Sequence, residues 1–320
     1  MILITGGAGF IGSHLTGKLL SQGERVIIVD NFDPYYSEKI KRKNIQNYLN
    51  HPSFTLVEGD IRQRKTLEDI FEEYPVTKVV HLAARAGVRG SIEDPFIYED
   101  INLKGTLNLL ETCKNYSIES FIFASSSSVY GNSKVPFSED SPFLSPISPY
   151  GVTKLSGEIL CQTYHHLYRI PILCIRIFTA YGPFQRPEMV VHKFTRLIYR
   201  EMEVPVFGEG KYERDYTYID DLIEGIVLAL KYHPRYDIIN LGSSCPVDLL
   251  TLISLIEENI HKKARIRYLP PQPGDPFVTF ADIRKAQKLL GYQPRVSIEE
   301  GIARFCRWYL DNLGWLDELT

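Results

Sequence analysis

Tyr150 and Lys154 stand four residues apart in Tyr150-Gly151-Val152-Thr153-Lys154, some twenty residues after the run Ser125-Ser126-Ser127-Ser128-Val129-Tyr130-Gly131. On a helix, that spacing puts both side chains on one face, about 6 Å apart. An ammonium at that distance lowers a phenol's pKa from its usual value of about 10, and the resulting phenolate can take a proton from a substrate hydroxyl. Ser126 ends the apolar strand begun by Phe121-Ile122-Phe123-Ala124, where its hydroxyl can hold the same oxygen with Ser127 in support. Tyr-x-x-x-Lys alone also describes an ordinary surface pair. The seryl strand end and a dinucleotide fingerprint at the N-terminus turn the reading toward hydride transfer.

That fingerprint begins with the buried-strand pattern Met1-Ile2-Leu3-Ile4-Thr5, followed by Gly6-Gly7-Ala8-Gly9-Phe10-Ile11-Gly12 and an amphipathic helix to about Leu20. Gly7, Gly9 and Gly12 satisfy G-x-G-x-x-G, and Gly6, Gly9 and Gly12 satisfy G-x-x-G-x-x-G. Such glycines let backbone approach a pyrophosphate at a helix N-terminus. The second strand, Arg25-Val26-Ile27-Ile28-Val29-Asp30, ends in an acid eighteen residues after Gly12, the place for an acceptor to an adenosine ribose. Asp30 followed by Asn31-Phe32 would repel a 2′-phosphate, so NAD is expected rather than NADP. Further strands are expected at 54–57, 78–82 and 121–124, alternating with helices as in a doubly wound parallel sheet. Asp60-Ile61 after the third strand could meet the adenine, or Asp60 could cap the next helix. Leu82-Ala83-Ala84 after the fourth leaves room for cofactor against backbone, and His81 reads as a packed core histidine.

The chain has 320 residues, a net charge of −3 and mixed signs throughout. It can bury a large core and offers no basic footprint for nucleic acid. Lys39-Ile40-Lys41-Arg42-Lys43 reads as a solvated helix face. Cys113, Cys161, Cys174, Cys245 and Cys306 are scattered without a C-x-x-C pair, as in a reduced cytoplasmic protein without a metal site. No secretory or membrane-spanning run is expected. After about Ile177 the alternation weakens and Pro/Gly clusters appear. Residues 1–177 are therefore expected to form a Rossmann-type nucleotide domain, with a returning segment near 212–241 that includes the apolar strand 236–241, and 178–320 to form mainly a smaller α/β substrate lobe.

The chain resembles the extended short-chain dehydrogenase/reductase superfamily over essentially its whole length, and within it the nucleotide-sugar 4-epimerases, above all those acting on UDP-glucuronate. The matching segments are the glycine turn, Asp30-Asn31-Phe32 with Tyr35-Tyr36, Ala86-Gly87-Val88-Arg89, the seryl strand end and Tyr150 to Lys154. They continue through Phe178-Thr179-Ala180-Tyr181-Gly182-Pro183, Arg186-Pro187-Glu188-Met189, Lys193-Phe194-Thr195, Arg214 to Asp221 and Pro273-Gly274-Asp275.

The resemblance implies NAD held by Gly6, Gly9, Phe10, Ile11, Gly12, Asp30, Asn31, Asp60, Ile61, Leu82, Ala83, Ala84, Tyr150 and Lys154. It implies a UDP-sugar held by Arg89, Ser126, Ser128, Thr179, Arg186, Arg214 and Asp275. Relatives acting on neutral sugars carry Asn where this chain has Thr179. Thr179 and Arg186 would therefore hold a uronate carboxylate, for which a planar guanidinium is chemically suited. Gln272 agrees with the same branch. Sugar 4,6-dehydratases place Asp-Glu where this chain has Ser127-Ser128, and uronate decarboxylases keep a Glu at the second position, so neither activity is expected. The alternatives are a UDP-glucose or UDP-N-acetylglucosamine 4-epimerase, then a dehydratase or decarboxylase, then a non-catalytic NAD- or UDP-sugar-binding protein. The family also implies a homodimer, for which helices near Pro95–Cys113 and Tyr150–Tyr168 offer apolar faces for a four-helix contact.

Overall fold

The structure is a computed structural model and describes residues 1–232, 235–271, 274 and 276–317. Among them the strands run β1 (Ile2–Thr5), β2 (Val26–Asp30), β3 (Phe54–Glu58), β4 (Lys78–His81), β5 (Ser120–Ser126) and β6 (Ile172–Ile177). They continue with β7 (Thr179–Tyr181), β8 (Glu203–Phe207), β9 (Glu213–Tyr218), β10 (Tyr236–Leu241), β11 (Pro246–Asp248) and β12 (Arg265–Leu269). Seven form a parallel sheet in the order β10-β6-β5-β4-β1-β2-β3. A strand buried on both faces must be apolar at successive positions. Ile2 and Ile4 accordingly pack with Ile28, Val80 and Ile122 on one face, and Leu3 with Ile27, Val79 and Phe121 on the other. β6 adds a strand that the sequence reading did not single out, and β10 returns to pair beside it. β11-β9-β7 and the parallel pair β12-β8 form two smaller sheets.

Strand order reverses at β1, which lies between β2 and β4. A crevice opens at such a reversal beyond the strands' C-terminal ends. His81 stitches this point: Nδ1 lies 2.6 Å from Thr5 Oγ1 and Nε2 2.9 Å from Thr106 Oγ1. Burial pushes its pKa down to about 3, so it is the neutral core residue expected. Cys113, Cys161, Cys174 and Cys306 are buried thiols, and Cys245 is exposed. No helix among the described residues is long and apolar enough to cross a membrane.

The helix Pro149–Tyr168 starts on a Ser148 cap, whose Oγ accepts from Gly151 N at 3.1 Å, with Pro149 in its first turn. Both are helix-start signals. Farther along, Glu158 accepts from Arg176 Nε and Nη2 of β6 at 2.9 and 2.8 Å and from Ser125 Oγ of β5 at 2.5 Å. Arg176 is 2 % exposed, and its guanidinium lies 4.7 Å from the centroid of the Tyr130 ring. Removing one member of a buried, hydrogen-bonded pair strands the other charge and costs about 3–5 kcal/mol. Glu158→Ala should therefore lower unfolding stability by about that amount in a denaturant titration; a loss below about 1 kcal/mol would mean the pair does not anchor this helix to the sheet.

Candidate active site

A cleft of about 410 Å³ opens at the C-terminal ends of the central strands. Gly6, Gly9, Phe10, Ile11, Gly12, Asp30, Asn31, Asp60, Ile61, Leu82, Ala83 and Ala84 all line it. Gly6 takes φ +70° and its oxygen accepts Gly9 N at 3.1 Å. A Cβ on Gly12 would sit 2.3 Å from Gly6 O and 2.7 Å from Gly7 Cα. Gly7 does not line the cleft, since a Cβ there would strike the Ile28 side chain; the pattern 6-9-12 marks the cradle, and Gly7 serves packing. The following helix, Phe10–Ser21, has no side-chain cap at its start, so its first N–H groups can serve an anion.

Asp30 is nearly buried, with Oδ2 accepting from Ala8 N at 3.1 Å and Oδ1 from Phe32 N at 2.9 Å. Burial raises its pKa, opposed by the Lys41 ammonium and by those two N–H groups. Asp60 is held by Arg62, at 2.6 Å from Nη2, and by Asn31 Nδ2 at 2.8 Å. Its carboxylate is thus committed to neighbours while the residue still lines the cleft. The uncapped helix start, the cradle that a Cβ would fill and the acid at the end of β2 together fit a dinucleotide.

Ala124 to Ser128, Tyr150 and Lys154 line the same cleft. Burial pushes the Tyr150 phenol up, and the Ser126 hydroxyl and the Arg186 charge oppose it. Lys154 donates to Ala124 O at 2.7 Å, its Nζ is 6.0 Å from the Tyr150 ring centroid, and burial lowers its pKa to about 8. Lys154 thus shares the cleft with Tyr150, its ammonium also engaging a strand carbonyl, while Arg186 is a second cation acting on the phenol. Ser126 Oγ accepts from Ser128 N at 3.1 Å and donates to Ser128 Oγ at 3.1 Å. No carboxylate stands at Ser127 or Ser128.

Thr179 and Arg186 reach the cleft from the other side, where Arg186 Nε lies 3.2 Å from Glu188 Oε1. Arg89 and Arg214 do not line it. Arg89 lies over the Phe207 ring at 4.4 Å, and Arg214 Nη1 donates to Glu213 O at 2.8 Å. Asp275 and Gln272 lie outside the described residues.

Several cleft residues were missed from sequence. Tyr35, Tyr36, Lys41 and Arg85 line it, and a cation set in the small-residue run Ala83-Ala84-Arg85-Ala86-Gly87 was the available signal for Arg85. Asn102 was hidden because the helical stretch 95–113 contains a π-helical segment, Glu99–Lys104. Its Oδ1 accepts from Arg85 N at 2.8 Å, and its Nδ2 donates to Arg85 O and to Thr153 Oγ1, each at 3.0 Å. Thr153 Oγ1 in turn donates to Tyr150 O at 2.9 Å. A buried amide thus joins the loop after β4 to the turn that carries Tyr150.

The family model described as GDP-mannose 4,6 dehydratase matches residues 3–305. A UDP-glucuronate 4-epimerase of Thermodesulfobacterium geofontis is 43% identical, with 97% of this chain and 96% of the relative covered. The chain belongs to the extended short-chain dehydrogenase/reductase family. Among solved members, the UDP-glucuronic acid 4-epimerase of Bacillus cereus, in complex with UDP-glucuronic acid and NAD, superposes with a TM-score of 0.92 at 40% identity, covering 97% of this chain and 99% of that one. A Thermotoga maritima UDP-glucose 4-epimerase, with UDP-glucose, gives 0.90 at 34% identity, covering 98% and 99%.

In this member of the family, Gly12→Ala should weaken NAD⁺ binding by about tenfold or more, because a Cβ there meets backbone that cannot yield. Calorimetric titration, with a melting curve to confirm folding, would read it. Wild-type affinity in a folded variant would show that the cradle does not hold the pyrophosphate.

Proposed function

We propose that this chain is an NAD-dependent 4-epimerase that interconverts UDP-glucuronate and UDP-galacturonate. The observation that carries this reading is the meeting of Tyr150 and Ser126 with Thr179 and Arg186 in one cleft. The relatives that act on UDP-glucuronate support it. The serines at 127 and 128 weigh against dehydration, despite the description of the matching family model, and against decarboxylation.

Tyr150, as phenolate assisted by the Lys154 ammonium, takes the proton of the sugar C4 hydroxyl while Ser126 holds that oxygen, with Ser127 supporting. When bound, NAD⁺ would supply the acceptor for the C4 hydride and the donor for its return to the opposite face of the sugar. Tyr150 then gives the proton back to the inverted oxygen. Between these steps the sugar is a 4-ketouronate, a β-keto acid that loses CO₂ when the bond to its carboxylate aligns with the ketone π system. Thr179 and Arg186 hold the carboxylate away from that alignment and thereby protect the product. Residues 1–177, with the return near 212–241, take the dinucleotide, and the rest of 178–320 takes the nucleotide sugar. Four buried, unpaired thiols suit a reducing cytoplasm.

The likeness to a UDP-glucose 4-epimerase favours a second reading, epimerisation of a neutral UDP-hexose. Incubating the NAD-loaded protein with UDP-glucuronate and following the sugar by proton NMR separates the two. Formation of UDP-galacturonate without UDP-pentose is expected, and conversion of UDP-glucose alone would replace the first reading with the second. Tyr150→Phe should abolish turnover yet still bind UDP-glucuronate. Arg186→Ala should raise the KM for the uronate by roughly tenfold to a hundredfold, a charge-assisted contact being lost; an equal loss for UDP-glucose would make the arginine structural.

Two copies pair through the helical stretches 95–113 and 149–168. Phe96 is 80% exposed, Ile159 56% and Val152 48%, an apolar strip that a second copy would cover. Light scattering should give twice the 36.7 kDa chain mass, and Ile159→Glu should give the monomer. A monomeric wild type would discard this pairing.

A further inference from the structure

Tyr35 stands where three separate segments meet at the cleft. Its ring centroid lies 4.1 Å from the Arg85 guanidinium carbon and 5.6 Å from that of Arg186. Arg85 belongs to the loop after β4, Tyr35 to the loop after β2, and Arg186 to the segment after β7. An aromatic face attracts a guanidinium through its quadrupole, and more so where water is scarce.

The ring itself is fixed. Asp33 Oδ1 accepts from Tyr35 N and from Arg85 Nη1, each at 2.9 Å, and Lys41 Nζ donates to Asp33 O at 2.8 Å. Both sides of the Arg85 peptide are tied to Asn102. Among the described residues the buried Arg85 Nε has no hydrogen-bond partner, and the Tyr35 ring packs against the same guanidinium. At the other end, Arg186 uses Nε toward Glu188, which leaves its two terminal nitrogens for a bidentate anion.

We infer that Tyr35, braced by Arg85 and Asp33, is a positioning residue for Arg186 and so a determinant of selectivity for a substrate carboxylate. This rests on the reading of Arg186 as the carboxylate-holding arginine. A long guanidinium side chain loses rotamer freedom when it grips an anion. Tyr35 removes part of that freedom before the anion arrives, so the uronate gains and a neutral hexose does not.

The test uses the NAD-loaded enzyme, with the KM and kcat for UDP-glucuronate and the Ki for UDP-glucose as competitor. Tyr35→Leu should raise the uronate KM about tenfold, with a smaller change in kcat, and so cut the ratio of Ki to KM by a similar factor. Tyr35→Phe, which keeps the ring, should recover most of that ratio, and Arg85→Gln should lower it. An equal rise in KM and Ki for Tyr35→Leu, or a Phe variant as impaired as Leu, would overturn the inference. Should Tyr35→Leu fail to fold, Arg85→Gln decides, and an unchanged ratio there would overturn it. A wild type that binds uronate and neutral sugar alike would instead refute the reading of Arg186, before any Tyr35 variant is made.

Discussion

The chemistry of this protein depends on three successive residues of one strand, each attached differently to one helix. At the end of β5, the Ala124 carbonyl accepts the Lys154 ammonium and the Ser125 hydroxyl donates to Glu158. The next hydroxyl, on Ser126, faces the cleft beside Tyr150. Side chains of a strand alternate between faces, while a helix repeats every three to four residues. Only one register satisfies all three attachments, and it puts Ser126 and Tyr150 together. The Glu158–Arg176 pair extends the same anchorage to β6. A slip of one residue in β5 would set Ser126 against Glu158 and take its hydroxyl from beside Tyr150.

Much of this was legible in the sequence because it depends on local chemistry. Glycines at 6, 9 and 12 and an acid at 30 describe a turn and an acceptor whose spacing is set by one strand, one helix and the next strand. Tyr150 and Lys154 share a helix face by simple periodicity. What stayed hidden depends on long-range geometry. No pattern around Lys154 reveals that its ammonium will also find the Ala124 carbonyl. Arg89 and Arg214, taken as sugar-nucleotide ligands by family resemblance, stand beside the Phe207 ring and the Glu213 carbonyl, contacts that no local pattern announces. Asn102 could not be placed because a π-helical segment shifts the phase of its helix.

The cleft also shows how a site for an anionic ligand is kept charged without being left unbalanced. Arg85 is paired with Asp33, Arg186 with Glu188, and Lys41 lies near Asp30. Each cation has a resident acid or carbonyl and can exchange part of that partnership for a ligand oxygen. Unpaired, the same charges would carry a large desolvation cost. The tyrosines at 35, 36 and 150 line the cleft among them, and the Tyr98 and Tyr150 rings meet edge to face at 6.2 Å.

The return of β10 to the main sheet has a consequence for how the chain can be divided. Tyr236 pairs with Ile172 and Leu241 with Ile177, while Asn240 accepts from the Tyr130 hydroxyl and donates to Phe137 O and Asp282 O. The outermost strand of the nucleotide-binding sheet is thus supplied by chain that emerges only after much of the second half has been made. A fragment stopping at Ile177 would present β6, apolar except for Arg176, as an open edge with unpaired amides, the form most prone to join a neighbouring copy. The seven-stranded sheet is complete only in a chain that reaches Leu241, and a cut at Ile177 would leave this strand behind.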